Sequence, residues 1–474
     1  MTTDALPAAN NEKSGVVRIA AVAALGGLLF GYDSAVINGA VSAVQKRFEV
    51  EAGPLGFAVA SALIGAAVGA FFGGRISDKI GRIAVMKIAA ALFFVSAIGC
   101  AVAPNLTLFV TFRIIGGLGV GVASVIAPAY IAEISPPQIR GRLGSLQQLA
   151  IVSGIFISLL VDFLLAKAAG GSDKDLWLGM EAWRWMFLMM VIPAVLYGVL
   201  SFTIPESPRY LVAQGQPEKA QRILARVLGV GAEDTVERIQ QSLARDTKPS
   251  MRDLRSPRGG LYPIVWVGLG LAIFQQFVGI NVIFYYSNVL WEAVGFDESS
   301  SFVITVLTSV TNILTTLIAI AAVDKAGRKP LLMIGSAGMA VSLAVMAYIF
   351  QTAPLENGAP ALHGASGPIA LAAANIFVIC FGMSWGPVMW IMLGEMFPNK
   401  LRGAALAVAG FAQWAANWVV TVSFPMLKDI SLGLAYGLYA LCALLSLVFV
   451  WKFVHETKGL ALEDMEDGFV PAGH

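Results

Sequence analysis

Residues 433–454 read GLAYGLYALCALLSLVFVWKFV, with a single charge, Lys452, near the end. A helix needs about twenty such residues to cross the hydrocarbon of a bilayer. Its backbone can satisfy its own hydrogen bonds there, which no open strand can do. Comparable runs fall at 17–38, 56–76, 84–103, 107–132, 144–168, 183–204, 261–291, 301–323, 331–350, 368–394 and 403–427. Twelve membrane-spanning helices are therefore predicted. Over all 474 residues, 57% are hydrophobic and 13% charged, with a mean hydropathy of +0.75. Soluble domains carry about 25% charged residues, so an ordinary globular enzyme is excluded.

The longest hydrophilic interruption, 205–260, divides the runs six and six. The expected organisation is an N-tail at 1–16, a six-helix bundle at 17–204, linker helices at 205–260, a second bundle at 261–454 and a C-tail at 455–474. Within the linker, Ala220, Ile223, Leu224, Val227 and Leu228 share one helical stripe, and Val236, Ile239 and Leu243 mark a second short helix. Met1 to Gly15 is polar and no cleavable signal is evident, so the first run reads as a retained helix. Cys100, Cys380 and Cys442 stand alone in apolar stretches, which suits packing rather than a disulfide framework or metal site.

Lys and Arg placement sets the orientation. With both termini cytoplasmic, the external turns hold only Lys46, Arg47, Lys167, Lys174 and Lys428. Arg184 falls at a helix end, Arg113 lies inside a run, and the rest of the 32 basic residues sit on the cytoplasmic side.

Charge motifs recur in both halves. Gly74-Arg75-Ile76-Ser77-Asp78-Lys79-Ile80-Gly81-Arg82 follows the second run, and Val323-Asp324-Lys325-Ala326-Gly327-Arg328-Lys329 follows the eighth. Glu133 with Arg140 is echoed by Glu395 with Arg402 at the same spacing. Pro205-Glu206-Ser207 is echoed by His455-Glu456-Thr457. Three echoes in one order indicate an internal duplication, an architecture that transporters use with a site between the halves. Physically, these acids and arginines form a charge latch whose pairs bias a two-state equilibrium. Positive-inside anchoring accounts for the cations but not for the repeated acids.

Two charges stand out within the runs, Asp33 and Arg113. By helical rise, Asp33 lies on the order of 8 Å, and Arg113 roughly 10 Å, below the same surface, so they can pair. Burial disfavours a carboxylate's charge and a nearby arginine favours it, so separating the two would admit a proton. A static structural salt bridge, or an Asp33 at the water interface, is the alternative reading. Gln275, Gln276 and Asn281 with Tyr285 and Tyr286, Gln148, and Gln413, Trp414 and Asn417 form an amide-rich group. Trp385 and Trp390 flank Gly386-Pro387, where the helix is expected to break. Amides donate and accept, which suits a neutral ligand rich in hydroxyls.

These motifs resemble those of the sugar porter family of the major facilitator superfamily, from about residue 17 to 464. The resemblance rests on Gly26-Gly27-Leu28-Leu29-Phe30-Gly31-Tyr32-Asp33, Arg113-Ile114-Ile115-Gly116-Gly117, Pro205-Glu206-Ser207-Pro208-Arg209, Gln275-Gln276-Phe277-Val278-Gly279-Ile280-Asn281 and Glu456-Thr457-Lys458-Gly459. The whole looks similar to bacterial proton-coupled glucose permeases and xylose–proton symporters. The departures are His455, where proline is usual, and Ile320, where the second-half loop motif often begins with glycine.

The resemblance implies an all-α membrane protein of two pseudo-symmetric six-helix bundles. It implies that Gln148, Gln275, Gln276, Asn281, Trp390 and Gln413 contact the sugar, with Tyr285 and Asn417 close by and Phe30 lining the cavity. Asp33 would carry the coupling proton with Arg113 as its partner. The cytoplasmic gate would comprise Asp78, Arg82, Glu133, Arg140, Glu206, Asp324, Arg328, Glu395, Arg402 and Glu456. The expected function is proton-coupled import of a monosaccharide, D-glucose first, by a monomer in the cell membrane. No cofactor, metal or nucleic-acid partner is expected. A uniporter, or a carrier for xylose, galactose or inositol, is the alternative. A sugar sensor would need longer tails, a drug exporter a less amide-rich centre, and an enzyme a nucleophile–base set.

Overall fold

The computed structural model describes residues 6–136, 139–228, 231–245, 251–256, 259–356 and 359–457. Among them, twelve helices are long and apolar enough to cross a membrane. In chain order these spans are Gly15–Phe48, Ala52–Ile80, Arg82–Val102, Leu106–Ile134, Leu143–Ala169, Ala182–Leu200, Pro263–Tyr285, Glu298–Ala321, Arg328–Thr352, Ser366–Met396, Leu401–Ile430 and Leu432–Phe453. A two-stranded ribbon, Leu355–Glu356 against Ala359–Pro360, joins the ninth and tenth spans.

Several spans are interrupted where function is expected. The first breaks at Val36 and continues as a second helix, Ile37–Phe48. The polar residues Asn38, Ser42 and Gln45 hide this continuation in the sequence, which reads as ending at 38. Asp33 is about 22 Å by helical rise from the far end of this continuation, while its partner Arg113 is about 10 Å from the start of the fourth span. The seventh span breaks at Gly279, whose φ of +83° suits only glycine, and again at Tyr286. The tenth breaks at Met383 and Ser384, earlier than the expected Gly386-Pro387. Pro387 instead sits in the first turn of Trp385–Met396, where its missing N–H costs no helical bond.

The linker forms Pro208–Ala213, Pro217–Leu228 and Ala232–Arg245. Leu211, Val212, Ala220, Leu224, Ala232 and Val236 make a small core, flanked by Tyr210, Ile223, Ile239 and Leu243. The apolar stripes read from the sequence thus pack on one another and on Pro208–Ala213.

The chain clusters into two compact units. One comprises Met1–Ser34, Ile64–Ser158 and Arg184–Thr247, and the other Ala35–Leu63, Leu159–Trp183 and Lys248–His474. These units do not follow the six-and-six division. Within the second, Asn38 donates to the Phe284 carbonyl oxygen (3.0 Å) and Ser172 N–H to Glu298 (2.9 Å), so ends of early spans are tied to later ones.

Within the first unit, spans one and five approach backbone to backbone. A Cβ on Gly31 would lie 2.0 Å from the Ile151 carbonyl oxygen, and one on Gly154 would lie 2.1 Å from that of Leu28. Small residues let membrane helices gain close van der Waals contact where no hydrophobic force between them exists. Arg184 caps the third span, donating to the carbonyl oxygens of Ala101 (2.8 Å) and Ala103 (2.9 Å).

Gly154→Val overpacks this contact and is expected to cost about 1–3 kcal/mol. Gly410→Ala, with open space around its Cβ position, is the neutral control. Thermal unfolding of the detergent-solubilised variants reads the difference as a lower midpoint for Gly154→Val alone.

Candidate functional site

Asp33 and Arg113 are both buried, 0% and 2% exposed. Arg113 Nη1 lies 3.3 Å from Asp33 Oδ1 and donates to the Asp33 carbonyl oxygen at 3.0 Å. The guanidinium also stands over the Phe187 ring at 5.7 Å. Asp33 Oδ2 and Arg113 Nε have no partner among the described residues. The pair is thus a single contact backed by a main-chain anchor. Neutralising the carboxyl would leave Arg113 tethered through that carbonyl oxygen, so a proton can arrive without setting the arginine adrift.

A second group lies in the other unit. Gln275 donates to the carbonyl oxygens of Trp385 (3.0 Å) and Gly386 (3.4 Å), in the first turn of the helix that follows the tenth-span break. Its own oxygen accepts from Gln276 (3.1 Å) and Gln413 (3.4 Å), and Gln276 accepts from Asn281 (2.5 Å). The break at Gly279 brings Asn281 back towards Gln276. Asn417 accepts from Thr421 (3.1 Å), whose carbonyl oxygen takes the Tyr286 hydroxyl (2.9 Å). Gln413 Oε1 is buried and has no partner among the described residues. Trp385 is fully buried, its indole donating to Leu332 and Ser336, whereas Trp390 is 41% exposed. Of these two, Trp390 is the one with exposed surface. Tyr285 is buried in this unit. Gln148 and Phe30 are half-buried and belong to the first unit.

The duplicated charges form two copies of one geometry. Arg82 grips Glu133 through Nε (3.0 Å) and Nη2 (2.9 Å), and Arg328 grips Glu395 the same way (3.1 and 2.8 Å). Glu206 accepts from the backbone N–H of Arg82 and Ile83, as Glu456 does from Arg328 and Lys329. Ser207 donates to Glu133 and Thr457 to Glu395. Asp78 adds a 3.0 Å contact to Arg82. Arg402 donates to the Phe397 carbonyl oxygen (3.1 Å). The side chains of Arg140 and Asp324 lie outside the described residues.

A family profile described as Sugar (and other) transporter matches residues 19–469. The chain belongs to this family. It is a twelve-span secondary transporter, not an enzyme. It is 58% identical over 452 residues to the glucose transport protein of Synechocystis sp., covering 95% of this chain and 97% of that protein. It is 41% identical over 489 residues to the D-xylose-proton symporter of Escherichia coli K12, covering 96% of each. Its fold matches an inward-open xylose transporter from Escherichia coli with a TM-score of 0.81 at 39% identity, covering 95% of this chain and 99% of that one.

Reading the transporter's spans by charge missed a third intramembrane ionisable residue. Asp162 in the fifth span is 0% exposed, and neither carboxyl oxygen has a hydrogen-bond partner among the described residues. It lies against Gly39, where a Cβ would come within 2.7 Å of it. The signal was an acid between Val161 and Phe163 inside an apolar run. The sequence also gave no sign that Asn38 would join Asn288 and Phe284, because those partners lie some 250 positions away.

The repeated latch geometry predicts that Glu133→Gln and Glu395→Gln are equivalent. Each removes the acid that clasps a largely buried guanidinium at two points, at a cost of about 1–3 kcal/mol, and Arg82 keeps its contact with Asp78. Matching drops in thermal midpoint are expected, and a loss confined to one variant would show the two sets to be unequal.

Proposed function

We propose that this transporter imports a monosaccharide, D-glucose first, together with a proton. The carrying observation is the buried Asp33–Arg113 pair in a chain that also holds a linked amide group with spare acceptors. Intramembrane ionisable residues are costly and commonly mark ion pathways. The names of the relatives, a glucose transport protein and a D-xylose-proton symporter, support both the sugar and the coupling ion.

In the proposed cycle the arginine-rich face is cytoplasmic, with both termini, and the protein lies in the cell membrane as a monomer. The halves at 17–204 and 261–454 are the moving bodies. From outside, Asp33 takes a proton, relaxing its hold on Arg113. Gln148, Gln275, Gln276, Asn281 and Gln413 supply donors and acceptors to sugar hydroxyls, Trp390 offers its ring to the C–H face, and Tyr285, Asn417 and Phe30 complete the lining. The Glu133–Arg82 and Glu395–Arg328 sets then part as the cytoplasmic side opens. A proton is the only coupling group invoked. Uniport remains the second reading, favoured by the main-chain anchor that would hold Arg113 even without coupling.

Two tests follow in proteoliposomes. Asp33→Asn should abolish accumulation of radiolabelled glucose against its gradient while retaining exchange; uphill uptake that persists under an imposed proton gradient would sink the coupling. Gln413→Ala should raise KM for glucose about tenfold, the equivalent of about 1.4 kcal/mol. Competition by unlabelled glucose, xylose, galactose and inositol then ranks the substrates.

A further inference from the structure

Beyond the far end of the seventh span the chain continues as Ser287–Ala293, a short helix seated on Ile37–Phe48 of the first span. The seam between them is polar. Asn38 donates to the Phe284 carbonyl oxygen (3.0 Å) and accepts from the Asn288 N–H (3.0 Å). One helical turn further along both helices, Ser42 donates to Glu292 Oε2 (3.1 Å). Positions 38 and 42, and 288 and 292, are each four apart, so the two contacts are successive rungs of one ladder. The Asn38 rung is fully buried and the Glu292 rung half-buried, nearer to water.

Among the described residues no cation forms an ion pair with Glu292. Lys46 and Arg47, on the same helix as Ser42, are engaged by Asp173 and Glu181. Glu298, at the start of the eighth span, accepts from the Ser172 N–H and adds a like charge. Lys428, at the end of the eleventh, attracts Glu292 more weakly and lies 3.3 Å from Asp429. Burial pushes the Glu292 carboxyl up to about 7, opposed by the Ser42 hydrogen bond and Lys428 and assisted by Glu298.

We propose that Glu292 is a second proton-binding site of the transport cycle, built into a seam between first-half and second-half helices. Resting on the outward orientation and sugar transport proposed above, the seam is an outer closure. It retains the proton while closed and releases it when it parts and water hydrates the carboxylate.

The sign follows from linkage. The closed state holds its proton up to about pH 7, whereas a hydrated glutamate loses it near its ordinary 4.5. Between those values each unit of falling pH multiplies the closed-to-open ratio by up to about tenfold. Raising pH through about 7 removes the preference for closure. External acid would therefore help the loaded carrier to close.

The test reads the seam directly. In a chain with its three native cysteines replaced, Val41→Cys places a thiol on the buried seam beside Tyr286 and Val289. Its labelling by a membrane-impermeant maleimide is measured in proteoliposomes from pH 5 to 8. Rates are divided by those of Ser299→Cys, an exposed reference. With Glu292 present, relative labelling should rise across the range by up to about a hundredfold, up to tenfold for each of the two pH units between 5 and about 7. In Glu292→Gln it should be flat. Ser42→Ala, which removes the donor to the carboxylate, should move the midpoint to higher pH, a shift that lost packing would not produce. An equal rise with Glu292→Gln, or no rise in either, overturns the proposal. Glucose uptake by the same vesicles without the label is the separate check: vesicles that carry no sugar refute the transport reading and leave the labelling result to stand on its own.

Discussion

A bilayer core offers no hydrogen bonds, so backbone amides, carboxylates and guanidinium groups placed there depend on partners within the protein, Asp162 being an exception among the described residues. The rest of this molecule is arranged around that constraint. The long apolar runs become helices because only helices satisfy their own main chain. Where a helix breaks, at Val36, Gly279 or Met383, backbone groups are freed. Gln275 ties two spans together as well: its amide donates to the carbonyl oxygens of Trp385 and Gly386, in the first turn after the tenth-span break. Asp33 obeys the same rule through Arg113, whose guanidinium holds both its carboxylate and its carbonyl oxygen.

The duplicated acid–arginine sets show the constraint acting at a helix end. Each arginine is clasped in two-point fashion by one glutamate, while a second glutamate caps the backbone N–H groups that open the next helix. A helix N-terminus has unpaired donors and partial positive charge, so a carboxylate there is stabilised twice. The serine or threonine after the capping glutamate then bonds the clasping one. One local solution thus appears in both halves with the same partners, as a gene duplication requires and chance would not supply.

Much of this was legible in the sequence, for identifiable reasons. Apolar runs are local and continuous, so the spans and the linker stripes were readable. The latch was readable because its glutamates and arginines recur in the same order. Asp33 and Arg113 stood out because charges within apolar runs are rare. Asp162 was missed although the same signal was present, and the first span's continuation to Phe48 was missed because the polar residues after Ile37 end the apolar run before the helix ends. The amide residues were identifiable as a group, but their order as a chain, Asn281 to Gln276 to Gln275 with Gln413 joining, depends on breaks whose positions hydropathy does not fix.

By itself, the sequence determined the membrane class, the twelve spans and the repeated charge motifs, and singled out the residues proposed to bind a sugar and a proton, since those follow from composition and spacing along one chain. Tertiary structure alone decided which of Trp385 and Trp390 keeps exposed surface, that Arg113 is anchored to main chain as well as to Asp33, and that Ser42 meets Glu292 across a seam. Those facts depend on atoms brought within about 3 Å from segments far apart in the chain. Contact of that kind is set by where helices break and how closely they approach, and neither quantity is written in any local stretch of sequence.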